Sequence, residues 1–187
     1  SRLKVIEKSF KRYVSPKVIE KIIESGADPF VPHKYVLTVL FADLRGFTSM
    51  SSGLTPEEVK EIIDEYLTAM IKVIIDEDAT VDKIVGDEVM ALFGAPVIYD
   101  DHAVRAVNCA LRMQQAHGQL MASWKSRGRP ATAVGIGINT GEMVVGNIGS
   151  EQLMNYTVLG HHVNLAARLC SAAPGGDIIM SMFTFNE

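Results

Sequence analysis

Two long stretches with apolar residues at helical spacing are interleaved with short apolar runs that come in pairs about tight turns, and that order excludes a purely parallel doubly wound sheet. The first long stretch opens at Thr55-Pro-Glu-Glu58, a capping box with proline at the first helical position. Along it Val59, Ile62, Ile63, Tyr66, Leu67, Met70, Ile71, Ile74 and Ile75 repeat at the spacing of a core-facing helix. The second runs from about 101 to 125 and stops near Gly128. Between and around them, 35 to 42 is a short run rich in Val, Leu and Phe, as suits a strand covered on both faces. Residues 80 to 85 and 88 to 93 read as a hairpin about Gly86-Asp87, and 132 to 138 and 142 to 146 as a second hairpin about Asn139-Thr-Gly141. A strand near 156 to 159, a helix near 161 to 171 and a strand over 177 to 181 complete the order. The expected fold is therefore α+β, a mixed and mainly antiparallel sheet covered by helices. With 48% hydrophobic and 21% charged residues, 187 residues suffice for one full core.

Residues 35–187 are assigned to this domain, and 1–34 to an N-terminal helical segment and linker. Ser15-Pro16 starts a helix there, Val14, Val18, Ile19, Ile22 and Ile23 form a narrow apolar stripe, and Ala27 to His33 is punctuated by two prolines. The stripe either packs on the domain or couples it to an upstream module. A net charge of −4 provides no broad basic field, which argues against nucleic acid as a partner. Cys109 and Cys170 have no close-spaced partner, so neither a disulfide framework nor a zinc site is expected, and a reducing, cytoplasmic compartment follows. The apolar runs are too short to span a bilayer and no signal peptide opens the chain, although a parent protein could still be membrane-anchored.

Two aspartates carry the chemistry. Asp43 and Asp87 each interrupt an apolar strand-like run beside a turn, where a carboxylate is costly unless paired or bound to a metal. Either alone is equally an ordinary turn residue. Together, at neighbouring strand ends, they fit two divalent ions, and the backbone N–H groups of the segment from Leu44 to Thr48, around Gly46, fit phosphate oxygens. Glu88 is expected to point away from Asp87 into solvent. Asn164 and Arg168 share one helical face, and an arginine among Leu165, Ala166, Ala167 and Leu169 is the odd residue there. Gly135-Ile-Gly-Ile-Asn-Thr-Gly141 lacks the Lys-Ser/Thr ending of a phosphate loop and is read as part of the second hairpin. His161-His162 is read as a partly exposed pair at a helix start rather than a metal site, because adjacent helical residues do not face each other.

From Tyr35 nearly to the C-terminus, the chain resembles the catalytic domain of class III nucleotidyl cyclases, with their ferredoxin-like or palm-like fold. The blocks that carry the likeness are Phe41-Ala-Asp-Leu-Arg-Gly-Phe-Thr48, Asp82-Lys-Ile-Val-Gly-Asp-Glu-Val-Met-Ala-Leu-Phe-Gly94, Gly137-Ile-Asn-Thr-Gly141, Gly146-Asn-Ile-Gly149, and Tyr156-Thr-Val-Leu-Gly160 followed by Val163-Asn-Leu-Ala-Ala-Arg168. The resemblance implies two Mg²⁺ or Mn²⁺ held by Asp43, Asp87 and the Leu44 carbonyl, with Gly46, Phe47 and Thr48 against the substrate phosphates. It implies Asn164 on the ribose, Arg168 on the transition state, and Lys83 and Thr157 as the purine-selecting pair. A lysine donates to adenine N1 and a threonine hydroxyl accepts from the N6 amine, whereas guanine presents the reverse pattern. The implied reaction converts ATP to 3′,5′-cyclic AMP and pyrophosphate at two shared sites of a homodimer, in signal transduction, with an upstream sensor domain. Thr157, where Asp is more widespread, resembles a subgroup known to respond to bicarbonate.

The likeness has gaps. Gly135 stands where several relatives place a phosphate-binding arginine, and the chain ends before the family's final strands, which carry a lysine for the triphosphate. Arg45 is a candidate to compensate. Competing classes are a guanylate cyclase and a diguanylate cyclase, the latter because Val85-Gly-Asp-Glu-Val89 approximates its signature. The third is a catalytically silent dimerisation or regulatory module.

Overall fold

The computed structural model describes Glu24, residues 31–150 and residues 152–187. Glu24 and residues 31–34 apart, the helical segment and linker expected over 1–34 lie outside the described residues. Among the described residues the order is β1 (His33–Leu44), α1 (Phe47–Ser51), α2 (Pro56–Asp76), β2 (Thr80–Val85), β3 (Glu88–Phe93), α3 (His102–Ser126), β4 (Val134–Ser150), β5 (Leu153–Leu159), α4 (His161–Ala172), β6 (Ile178–Met180) and α5 (Met182–Phe185). The strands form one six-stranded sheet in the order β2-β3-β1-β4-β5, with β6 also on β4. Every pairing is antiparallel except β4 with β6. The mixed, mainly antiparallel α+β sheet expected from the sequence is the fold observed.

β1 is central and covered on both faces. Leu40, Ala42 and Leu44 meet Ile62, Tyr66 and Met70 of α2 and Ala106, Cys109 and Met113 of α3 in one buried cluster. Leu37, Val39 and Phe41 point the other way and join Ala166 and Cys170 of α4 in a second. The alternation of side chains along a strand sorts these two sets, and burying both explains why the run reads as continuously apolar. α2 begins as its sequence dictates. The Thr55 hydroxyl accepts from the Glu58 N–H, while the Glu58 carboxylate accepts from the Thr55 N–H at 2.8 Å.

The second hairpin is a correction. Asn139-Thr-Gly141 is not a turn but the middle of β4, a continuous strand of 17 residues that pairs with β1 from Val134 to Val145. Asn139 and Thr140 are buried, and their turn chemistry is diverted into side-chain bonds. The Asn139 amide donates to the His162 carbonyl at 2.8 Å, and the Thr140 and Thr38 hydroxyls are 2.7 Å apart. Gly141 is small because the His162 ring fills the space a side chain would need, with its Cγ 2.3 Å from where a Cβ would stand. β4 ends at Ser150, which pairs with Leu153 at the start of β5. α1 and α5, of five and four residues, carry no periodic pattern long enough to have been read.

Candidate active site

Asp43 stands next to the end of β1, and Asp87 forms the β2–β3 turn with Gly86, whose φ of 61° provides the positive angle that a two-residue hairpin turn needs. β1 and β3 are neighbours, so the two carboxylates come together. The Leu44 N–H donates to Asp87 Oδ2 at 3.0 Å and locks the turn to the strand end. The Asp43 carboxyl is pushed up to about 7, first by burial and then by its hydrogen bond to Asp87 and that group's charge, with Arg45 pulling it down. Residues 43 to 49 and Asp87 line a cavity of about 270 Å³ there, with Gly46 in the left-handed conformation at φ 64° ahead of α1. Sequence-predicted Asp43, Leu44, Gly46, Phe47, Thr48 and Asp87 thus share one cavity.

The donor set suits a hard divalent ion. Asp43, whose burial and contact with Asp87 already favour a bound proton, will accept a cation in its place, with the second carboxylate and the neighbouring backbone carbonyl offering further oxygens. Among the described residues no cluster of three or more His, Cys, Asp or Glu side chains is assembled for a metal. Two carboxylates agree with the way Mg²⁺ is held, by one or two side chains together with substrate phosphates.

Arg45 does not reach outward to take a triphosphate. Its guanidinium donates to the carbonyls of Cys170, Ser171 and Ala173 at the C-terminal end of α4, at 3.1, 3.3 and 3.3 Å, and to Asp43 Oδ2 at 3.1 Å. A cation on the open carbonyls of a helix end is electrostatically well placed. It also explains Gly135, because a Cβ there would lie 3.0 Å from the Arg45 Cζ and 2.8 Å from the Ala173 carbonyl oxygen. The same arginine that fills the glycine's space is held by the helix above it.

Glu88 is a second correction, being half-buried rather than solvated. Burial raises its carboxyl, followed by the charge of Asp87, with Arg45 and Lys83 opposing.

Lys83 and Thr157 come together away from that cavity, and a residue the sequence reading passed over joins them. The Thr157 hydroxyl donates to Asp82 Oδ2 at 3.0 Å, and the Lys83 ammonium lies 3.5 Å from the same oxygen. No local pattern marks Asp82, because Lys83, Ile84 and Val85 after it are all exposed and side-chain alternation does not sort this strand. Asn164 and Arg168 lie on the exposed face of α4, opposite buried Ala166 and Cys170, and neither has a hydrogen-bond or ion-pair partner among the described residues. They are outside the cavity of their own chain. His162 packs edge-on against Phe183 with ring centroids 5.4 Å apart, and its Nδ1 lies 3.2 Å from the Asn139 amide, so His162 is a packing residue while His161 is exposed.

Comparison with known proteins agrees with this geometry. Residues 31–186 match the family of adenylate and guanylate cyclase catalytic domains. Adenylate cyclase 1 of Rhizobium meliloti is 34% identical over 86% of the chain, and an adenylate cyclase of Anabaena cylindrica is 35% identical over 90%. The chain spans 24% and 34% of the length of these relatives. Among solved structures, the guanylyl cyclase Cya2 is 44% identical with a TM-score of 0.79, covering 82% of this chain and 78% of that one. The adenylyl cyclase CyaB from P. aeruginosa is 38% identical with a TM-score of 0.80, covering 83% and 81%. By sequence, fold and the assembly of paired aspartates at a strand end, the chain belongs to the adenylate and guanylate cyclase catalytic domain family.

Proposed function

We propose that the domain is an adenylate cyclase that converts ATP to 3′,5′-cyclic AMP and pyrophosphate. The observation that carries adenine is the convergence of Lys83 and Thr157, one cationic donor and one hydroxyl, on a single buried carboxylate. Lys83 donates to N1 and Thr157 accepts from the N6 amine. The phosphates lie in the cavity beside Asp43 and Asp87, against the backbone of Gly46, Phe47 and Thr48. Divalent ions held by the two aspartates and the Leu44 carbonyl would supply Lewis acidity at the attacking hydroxyl and neutralise the leaving pyrophosphate. The ribose 3′-oxygen bonds to the α-phosphorus, the bond from that phosphorus to the bridging oxygen breaks, pyrophosphate leaves, and the hydroxyl proton passes to water.

Asn164 orients the ribose and Arg168 stabilises charge on the α-phosphoryl group. Because both lie outside their own chain's cavity without partners among the described residues, they serve the cavity of a second copy, giving a homodimer with two shared sites. Among the described residues no helix is long and apolar enough to cross a membrane, and a cytoplasmic catalytic domain under an upstream sensor fits a chain shorter than its relatives. Thr157 also raises bicarbonate as a regulator, and turnover at fixed pH with and without it checks this; a flat response removes it.

Incubation with ATP or GTP and Mg²⁺ or Mn²⁺ tests the reading, with cyclic AMP as the expected product. A second reading, guanylate cyclase, is favoured by the 44% identity to Cya2, and cyclic GMP from GTP alone would establish it instead. Absence of either cyclic product from the folded dimer would sink the enzyme reading.

A further inference from the structure

Asp82 is out of place for a strand residue. The β2–β3 register shifts between Val81 and Lys83, which leaves Asp82 as the extra residue of a β-bulge, a device that re-aims a side chain. Its carboxylate has no solvent exposure, and its Oδ1 has no hydrogen-bond partner among the described residues. Burying a carboxylate in this way is costly, and a neutral amide would hold Thr157 at less expense. An amide would not fix the direction of the bond.

We propose that Asp82 is a specificity-determining positioning residue, which takes the only proton of the Thr157 hydroxyl and so presents lone pairs alone to the purine. This rests on the adenine reading above. An ionised carboxylate only accepts; burial raises this carboxyl from its ordinary value, while the hydrogen bond from Thr157 and the Lys83 ammonium beside the same oxygen oppose that rise and favour the ionised form. With its proton committed at 3.0 Å, the hydroxyl can accept from the 6-amino group of adenine but opposes lone pair to lone pair against the 6-oxo group of guanine. Asp82 also lies 3.5 Å from the Lys83 ammonium, so a single side chain orients both purine-reading groups. Selectivity then belongs to three residues, and the buried one sets its sign.

The test measures kcat/KM for ATP and GTP in the wild-type dimer and in Asp82→Asn, Thr157→Val and the double variant, with melting temperatures recorded. Asp82→Asn lets the side-chain amide donate and frees the hydroxyl to donate outward. The ATP/GTP ratio should fall about tenfold, mainly through KM because the base is remote from the reacting phosphorus. In the Thr157→Val background the same change should leave the ratio where valine put it. If Thr157→Val lowers the ratio and Asp82→Asn does not, the Asp82 proposal fails while the adenine reading stands. If Asp82→Asn lowers the ratio equally in both backgrounds, it acts only as a prop and the proposal also fails. If neither Thr157→Val nor Lys83→Glu moves the ratio, the adenine reading itself fails.

Should the asparagine variant not fold, wild-type turnover of three purine triphosphates that all keep N1 as an acceptor gives the same answer. A hydroxyl pinned by Asp82 ranks the 6-substituents amino, then hydrogen, then methoxy. Methoxy turned over as well as amino, and both better than hydrogen, would overturn it.

Discussion

Asp43 carries a charge that its own surroundings oppose. Its folded carboxyl titrates near 7 against an ordinary 3.8, so between those values the folded state binds the proton more tightly than the unfolded chain does. Stability of the metal-free protein should therefore fall as pH rises from about 4 to about 7 and level off above. Asp43→Asn removes that dependence, so its urea midpoint at pH 8 should exceed that of the wild type while cyclase activity is lost. Millimolar Mg²⁺ should raise the wild-type midpoint and leave the variant's unmoved; identical midpoints in both proteins at pH 5 and pH 8 would refute the account. On the purine side, Lys83→Glu with Thr157→Cys should shift preference toward GTP, and a folded double variant without GTP turnover would show these positions misassigned. The residues legible in the sequence were those whose type announces their task, such as an aspartate breaking an apolar run. Asp82 and Arg45 were not, because their meaning lies in partners far along the chain, Thr157 and the carbonyls of Cys170, Ser171 and Ala173.

Among the elements, the helix α2 and the β2–β3 hairpin were readable because capping box, apolar period and turn residues agree locally. β4 was not. Asn-Thr-Gly is turn vocabulary, and what overrides it is the close approach of α4, which only glycine permits. A Cβ at Gly137 would lie 2.1 Å from the Cys170 backbone nitrogen and 2.6 Å from the Ala166 carbonyl. Gly137→Ala should therefore push α4 off the sheet, at a cost of about 1–3 kcal/mol or more in urea unfolding. Since α4 carries Asn164 and Arg168, kcat should drop with it, while the cavity at Asp43 and Asp87 keeps its residues. An alanine variant with wild-type stability and turnover would mean the helix can ride higher without consequence.

For the whole molecule, the two proposed halves of the chemistry sit on one chain, yet Asn164 and Arg168 do not line the cavity at Asp43 and Asp87. Mixing Asp43→Asn chains with Arg168→Ala chains should restore activity, at one site of each mixed dimer, whereas each variant alone stays silent. No recovery on mixing would eliminate the shared site. β4 gives this arrangement its mechanical character. A single strand runs from Gly135, under the arginine that holds Asp43, to Gly146, paired with Thr157, and it is bonded along the way to β1, β5 and β6. It is a girder joining the end proposed to bind ions to the end proposed to read the base, and its amides from Ile136 to Leu37's partner Gly141 should exchange with deuterium only as fast as the molecule unfolds globally. A body braced in this way transmits force without changing shape. In the proposed homodimer, the joint left to turn is the angle at which two such girders meet.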